Sequence, residues 1–222
     1  METSLVICLL TASITLVFAK SRECIVCQSI GKDCQGDKKE CSAPGDKCGI
    51  TSMEQILGST SNAVNKSCIP PKDCDKGLAV LDLGNNQLIR GFVFCCKDDQ
   101  CTNPPSWPSR KIVTTNNKRC PACYTQPKEQ SGCEAKVINC TGEDETYCAE
   151  VFLQKKEGGK TMTTTMKGCA NKAFCEKLEI LTIESQFTLL PNSNCNNAAG
   201  AVSSTTGLLG LFLLAQAGLI FS

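Results

Sequence analysis

Eight cysteines stand in the same order and at nearly the same spacing in each half of this chain. The first set is Cys24, Cys27, Cys34, Cys41, Cys48, Cys68, Cys74 and Cys95, with gaps of 3, 7, 7, 7, 20, 6 and 21 residues. The second is Cys120, Cys123, Cys133, Cys140, Cys148, Cys169, Cys175 and Cys195, with gaps of 3, 10, 7, 8, 21, 6 and 20. No gap differs by more than three residues between the copies. Self-similarity of this kind means one structural unit used twice, each a small domain built around its cysteines. The first copy adds Cys96 and Cys101, whereas the second has Asn196 in the place of Cys96 and nothing for Cys101. Aromatic residues make up 5% of the chain, too few for a large apolar core. Covalent staples are therefore expected to carry much of the stability.

Whether the cysteines pair depends on the compartment, and both ends of the chain bear on that. Leu5 to Phe18 is an apolar run of 14 residues, followed by Ala19. It is short for a bilayer span and reads as a signal peptide, residues 1–19, cleaved after Ala19. Glu2 without a basic neighbour departs from the usual start of such a signal. At the other end, Gly207 to Phe221 is apolar, Gly200 to Thr206 is a small and polar spacer, and Asn196-Asn197-Ala198-Ala199 precede it. That order is the attachment pattern of a glycosylphosphatidylinositol (GPI) lipid. Asn197 is the expected attachment residue, with Asn196 as the alternative that lengthens the spacer, and residues 198–222 would leave. The expected location is extracellular, either secreted or held by the lipid at the outer face of the plasma membrane.

The mature chain, Lys20 to Asn197, keeps 18 of the 19 cysteines, since Cys8 leaves with the signal. An even number in an oxidising compartment predicts nine disulfides and no free thiol. The pairs Cys24-x-x-Cys27 and Cys120-x-x-Cys123 also have zinc-ligand spacing, but secretion argues against thiolate ligands. Lys and Arg total 23 against 22 Asp and Glu, so the basic excess of a nucleic-acid binder is missing. Histidine is absent, which removes Ser-His-Asp and Cys-His nucleophile pairs and imidazole metal sites. Glu143-Asp144-Glu145 is the densest acidic group and reads as a solvated loop tip. No enzyme, metal or cofactor is expected. A stapled module that presents side chains on a rigid base is instead suited to binding a protein surface.

The domains are read as 20–103 and 119–197, joined by a Pro-rich linker at 104–118. Pro104, Pro105 and Pro108 hold that linker extended around Trp107, the single Trp of the chain. Trp107 serves either as an exposed anchor for a partner or as a seal between the modules. Together with the three prolines it forms the candidate partner contact. Ile89 to Phe94, Ala149 to Leu153 and Lys160 to Met166 are rich in β formers, and Glu157-Gly158-Gly159 signals a hairpin. Leu178 to Leu190 fits a strand or a helical turn. Lys38-Lys39 and Lys155-Lys156 read as solvated. Asn65-Lys66-Ser67 and Asn139-Cys140-Thr141 are glycosylation sequons, with Asn65 preferred because Cys140 must form a disulfide.

The two Cys-x-x-Cys starts, the repeated gaps and Cys95-Cys96 followed by Cys101 resemble the three-finger family of lymphocyte-antigen-6, urokinase-receptor and snake-toxin proteins. The resemblance spans residues 24–196 and implies an all-β, disulfide-rich fold of two tandem three-finger domains. Spacing alone cannot choose a connectivity. The resemblance implies Cys24–Cys48, Cys27–Cys34, Cys41–Cys68, Cys74–Cys95 and Cys96–Cys101, then Cys120–Cys148, Cys123–Cys133, Cys140–Cys169 and Cys175–Cys195. The family places Asn directly after its last Cys, whereas here Thr102 precedes Asn103.

Glu23-Cys24-Ile25-Val26-Cys27, Gly31-Lys32-Asp33-Cys34, Glu40-Cys41, Asp46-Lys47-Cys48-Gly49 and Ile89-Arg90-Gly91 further resemble the gamma-type phospholipase A2 inhibitors. The implied function is binding and inhibition of a secreted phospholipase A2. Those inhibitors are soluble, and the GPI-like tail departs from them. The alternative is a GPI-anchored receptor or adhesion protein.

Overall fold

The computed structural model describes residues 22–74, 76–97, 101, 105–127, 132–182 and 187–200. Residues 1–19, where a signal peptide is expected, and residues 201–222 lie outside the described residues, as do Thr102, Asn103 and Pro104.

Module one is built from β1 (Glu23–Ile30), β2 (Asp37–Glu40), β3 (Lys47–Ile56), β4 (Thr60–Ile69), β5 (Leu78–Gly84) and β6 (Gln87–Cys95). Module two contains β7 (Lys118–Tyr124), β8 (Lys136–Asn139), β9 (Tyr147–Glu157) and β10 (Lys160–Ala170). It continues through a short helix, α1 (Lys172–Cys175), to β11 (Thr188–Leu189), β12 (Asn194–Asn197) and β13 (Ala199–Gly200). Leu178 to Leu190 takes both forms the sequence allowed: Leu178–Thr182 is a 3-10 turn and Thr188–Leu189 a strand.

The longest finger, β9–β10, pairs Tyr147 to Glu157 with Lys160 to Ala170 without a break. Its tip turns on Gly158 (φ 56°) and Gly159 (φ 78°), left-handed conformations that glycine adopts at little cost. Asn85 (φ 52°) and Asn86 (φ 59°) make the corresponding turn between β5 and β6, using the residue that best tolerates this region after glycine.

Nine disulfides gather at the bases of the fingers. In module one they join Cys24–Cys48, Cys27–Cys34, Cys41–Cys68, Cys74–Cys95 and Cys96–Cys101. In module two they join Cys120–Cys148, Cys123–Cys133, Cys140–Cys169 and Cys175–Cys195. Cys24, Cys27, Cys120 and Cys123 each sit in one of these bonds, so no thiolate pair for zinc exists there.

The modules are not beads on a string. The main sheet runs β11-β9-β10-β5-β6-β3-β4-β1-β2, so it passes from module two into module one at β10–β5. There Cys169 faces Asp82 and Ala170 faces Leu81. Gly168 permits the approach: a Cβ at that position would stand 2.1 Å from the Asp82 carbonyl oxygen. The ladder is prolonged by a side chain. Asn171, only 2% exposed, accepts from Val80 N (3.1 Å) and donates to Leu78 O (2.6 Å). The same Asn171 oxygen caps α1 by accepting from Phe174 N (3.0 Å).

One apolar core lies behind this joint. Met53, Ala79, Leu81 and Ile89 of module one pack in the same cluster as Val151, Leu153, Met166 and Phe174 of module two. Separate smaller clusters of mostly cysteine fill the base of each module.

Candidate partner-binding surface

The segment between the modules is a strap rather than a free spacer. Ile112 bridges Gly142, Val113 N donates to Thr141 O (2.8 Å) and Glu143 N donates to Lys111 O (3.0 Å). Asn116 holds the facing turn by donating to Gly142 O (2.7 Å) and Glu145 O (2.9 Å).

Arg110 is the centre of this strap. Its Nη2 lies 2.6 Å from Asp82 Oδ2 on β5, and its Nε donates to Glu145 Oε1 at 2.8 Å. Thr141 Oγ1 accepts from Arg110 Nη2 and donates to Asp82 Oδ2, both at 3.1 Å. Glu145 Oε2 accepts from Gly142 N at 3.0 Å. The guanidinium thus joins the linker, module one and module two at one point. The reading of Glu143-Asp144-Glu145 as a solvated tip fails at its last member. Glu143 and Asp144 are exposed, but Glu145 is fully buried. Burial pushes the Glu145 carboxyl above its ordinary pKa, against the pull of Arg110. A buried carboxylate of this kind requires a paired cation and hydrogen bonds, and Arg110 and Gly142 supply them.

The ring contacts of Trp107 lie on module one rather than between the modules. It is half-buried on the face of module one, edge-on to Phe92 with ring centroids 4.8 Å apart. The Arg90 guanidinium lies over its ring at 4.8 Å, and Arg90 also pairs with Glu54 at 2.6 Å. Strand β6 presents both Phe92 and Arg90 to the strap, so the sheet itself holds the ring down. Of the three linker prolines, Pro105 is half-buried and lines the same shallow pocket as Trp107, Pro108 is exposed, and Pro104 lies outside the described residues. Lys155 is also less solvated than its sequence implied: it pairs with Glu157 at 2.7 Å and is 19% exposed.

A second apolar surface lies away from Trp107. A cleft of about 540 Å³ opens where the strap, the β5–β6 hairpin and β8 meet. Ile56, Leu88, Ile112 and Ile138 line it, with Asn85, Asn86 and Asn139 at its polar edge. Ile112 is 70% exposed and Val137, on β8, 60% exposed. Exposed large aliphatics beside a cleft mark a contact surface more strongly than scattered ones. No local sequence signal points to this cleft, because its walls come from four segments between residues 56 and 141.

Asn139 ends β8 and is exposed, whereas Asn65 is half-buried in β4 between Gln28 of β1 and Thr51 of β3. Asn196 and Asn197 are in β12, opposite Cys148 and Tyr147.

Two cysteine-stapled, three-fingered β modules, joined along their sheets, define a protein of the u-PAR/Ly-6 class. The u-PAR/Ly-6 domain family matches residues 116–199, and the phospholipase A2 inhibitor family matches residues 22–103. The phospholipase A2 inhibitor LNF2 of Lachesis muta muta is 32% identical over 194 residues, covering 86% of this chain and 94% of its own. The phospholipase A2 inhibitor CgMIP-I of Cerrophidion godmani is 31% identical over 194 residues, again covering 86% of this chain and 94% of its own. The chain belongs to the phospholipase A2 inhibitor family. Among solved structures, mouse TEX101 matches 80% of this chain and 99% of its own at 20% identity, with a TM-score of 0.32.

Proposed function

We propose that the protein binds a secreted phospholipase A2 outside the cell and inhibits it, and that it is not itself an enzyme. The observation that carries this reading is the similarity to inhibitors through both modules, over 94% of the length of those relatives. The architecture supports it. A rigid two-module body loses little conformational entropy on binding, and the Ile112 cleft offers apolar contact between the modules. Blocking access to lipid needs only a bound surface, without chemistry on the enzyme.

The apolar tail at 207–221 supports display of this inhibitor on a GPI lipid. The tail is also what favours a tethered receptor or adhesion role. Of the two sequons, Asn139 is the more exposed, but it edges the Ile112 cleft and precedes the disulfide-bonded Cys140, so Asn65 stays the preferred glycan site.

The test is a titration of the purified protein into secreted phospholipases A2 hydrolysing phospholipid vesicles. Saturable inhibition with direct binding to the enzyme is the expected result. Unchanged hydrolysis and no binding across a panel of such enzymes contradicts the reading and leaves the receptor role. Release from cells by a phosphatidylinositol-specific phospholipase C tests the tether separately.

A further inference from the structure

Strands β7 and β8 form a wing off the main path of the sheet, and β8 has β7 as its one strand partner among the described residues. The two faces of the wing differ. On β7, Cys120 and Ala122 are buried while Arg119 and Pro121, which alternate with them, are exposed. On β8, Ile138 turns toward module one, where a Cβ at Gly84 would stand 3.1 Å from its Cγ2. Val137 and Asn139 turn outward and are exposed. Val137 therefore lies opposite Pro121 on the outer face, and Asn139 opposite Arg119. Asn139 also edges the cleft that holds Ile112, so the outer face and the cleft form one surface. Its charges are one-sided. Arg119 and Lys136 stand near its two ends, three ladder steps or about 10 Å apart. Neither is in an ion pair among the described residues. Of the acids in residues 132–145, Glu143 pairs with Lys111, Glu145 with Arg110, and Asp144 accepts from Asn171, which leaves Glu134.

We propose that this surface is where the partner docks, and that the partner is a protein presenting an apolar side chain flanked by carboxylates. The apolar group seats on Ile112 and Val137, and its acids face Arg119 and Lys136. In taking that partner to be a secreted phospholipase A2, the proposal rests on the inhibitor reading. Exposed aliphatics between cations without partners match a surface of that make-up, and the cations steer its approach. The shape favours a protein over a lipid surface. Half-buried Ile56, Leu88 and Ile138 wall a recess of about 540 Å³, which a single projecting side chain enters and a flat bilayer does not. Asn85, Asn86 and Gln87 at its edge offer amides to a partner's backbone, as the polar rim of a protein interface does. A glycan on Asn139 would cover this surface.

The experiment measures binding of the purified protein to a panel of secreted phospholipases A2 by surface plasmon resonance. Ile112→Glu combined with Val137→Glu is expected to weaken binding about 30-fold or more, the scale of losing a central anchor. Arg119→Glu is expected to slow association about five-fold or more and to reduce its dependence on salt. Ile30→Glu, at a residue 73% exposed on β1 of module one, is expected to bind as the wild type does. Melting temperatures check that each variant is folded, and Ile112→Ser with Val137→Ser replaces the charged pair should that pair not be secreted. Wild-type affinity in the double variant overturns the docking surface and leaves the inhibitor reading in place. A glycan found on Asn139 of the binding-competent protein overturns the surface as well. No binding of the wild type to any enzyme of the panel removes the inhibitor reading and this proposal with it. Binding to anionic phospholipid vesicles that the double variant loses, with enzyme binding unchanged, assigns the surface to a membrane and overturns the proposal.

Discussion

Module one and module two share eight cysteines but are stabilised by different means. Module one is closed by its own sulfur: five disulfides, with Cys96–Cys101 buried at the base. Module two has four, and by count alone it should open first. Its fingers, however, lean on the neighbour. Val151, Leu153, Met166 and Phe174 share a core with Met53, Leu81 and Ile89, and Arg110 anchors Glu145 to Asp82 across the joint. A missing staple is offset by packing and a strap. The stability of module two is thus not a property of its own sequence, and counting disulfides per module misjudges which half is weak.

That contrast can be broken at the strap. Arg110→Ala leaves Glu145 and Asp82 facing each other without their cation, with Glu145 fully buried. The expected cost is about 3–5 kcal/mol of unfolding free energy, read by denaturant titration. A loss below about 1 kcal/mol would place the strap outside the stability of the joint.

Next in size is the sheet joint itself. Gly168→Ala puts a methyl 2.1 Å from the Asp82 carbonyl, so the β10–β5 pair has to move apart. We expect a loss of about 1–3 kcal/mol. Exchange should quicken at Leu81 and Ala170 but not at the far β1–β2 edge.

Trp107→Ala removes an edge-on aromatic contact and a cation–π contact on module one. The expected loss is about 1–2 kcal/mol. It should appear in the melting temperature. If affinity for a phospholipase A2 falls while melting is unchanged, Trp107 contacts the partner directly and its packed role is secondary.

The smallest effect is the pH response of the second inter-module tie, Lys177 to Asp73 at 2.7 Å. Its hydrogen bond from Lys177 holds the Asp73 carboxyl below the ordinary range. A folded pKa below the unfolded one means the tie stabilises above about pH 4 and fades as pH falls through the lowered value. Glu145 runs the other way. Its raised pKa makes protonation favour the folded form, so its contribution weakens as pH rises through that value. Asp73→Asn should flatten the acid side of the melting profile, and an unchanged slope below about pH 4 would remove this tie from the account.

The repeat, the β-rich fingers and the hairpin at Gly158-Gly159 can be read from the sequence because each is written in local spacing or a short run. The disulfide connectivity is not legible from spacing and comes only through resemblance. Glu145 is misread because three consecutive acids look solvated. What buries the last of them is Arg110, 35 residues earlier in the chain. Gly168 and Asn171 give no signal for the same reason, since their partners Asp82 and Val80 lie in the other module. Trp107 stands out in the sequence as consequential, but Arg90 and Phe92, which hold it, lie on the opposite side of a cysteine-rich stretch.

The central claim is that the two modules form one body. Scanning calorimetry of the oxidised protein tests it most directly. A shared core predicts a single transition whose calorimetric and van't Hoff enthalpies agree. Two resolved transitions, or a calorimetric enthalpy near twice the van't Hoff value, would show that each module unfolds alone and would contradict the account.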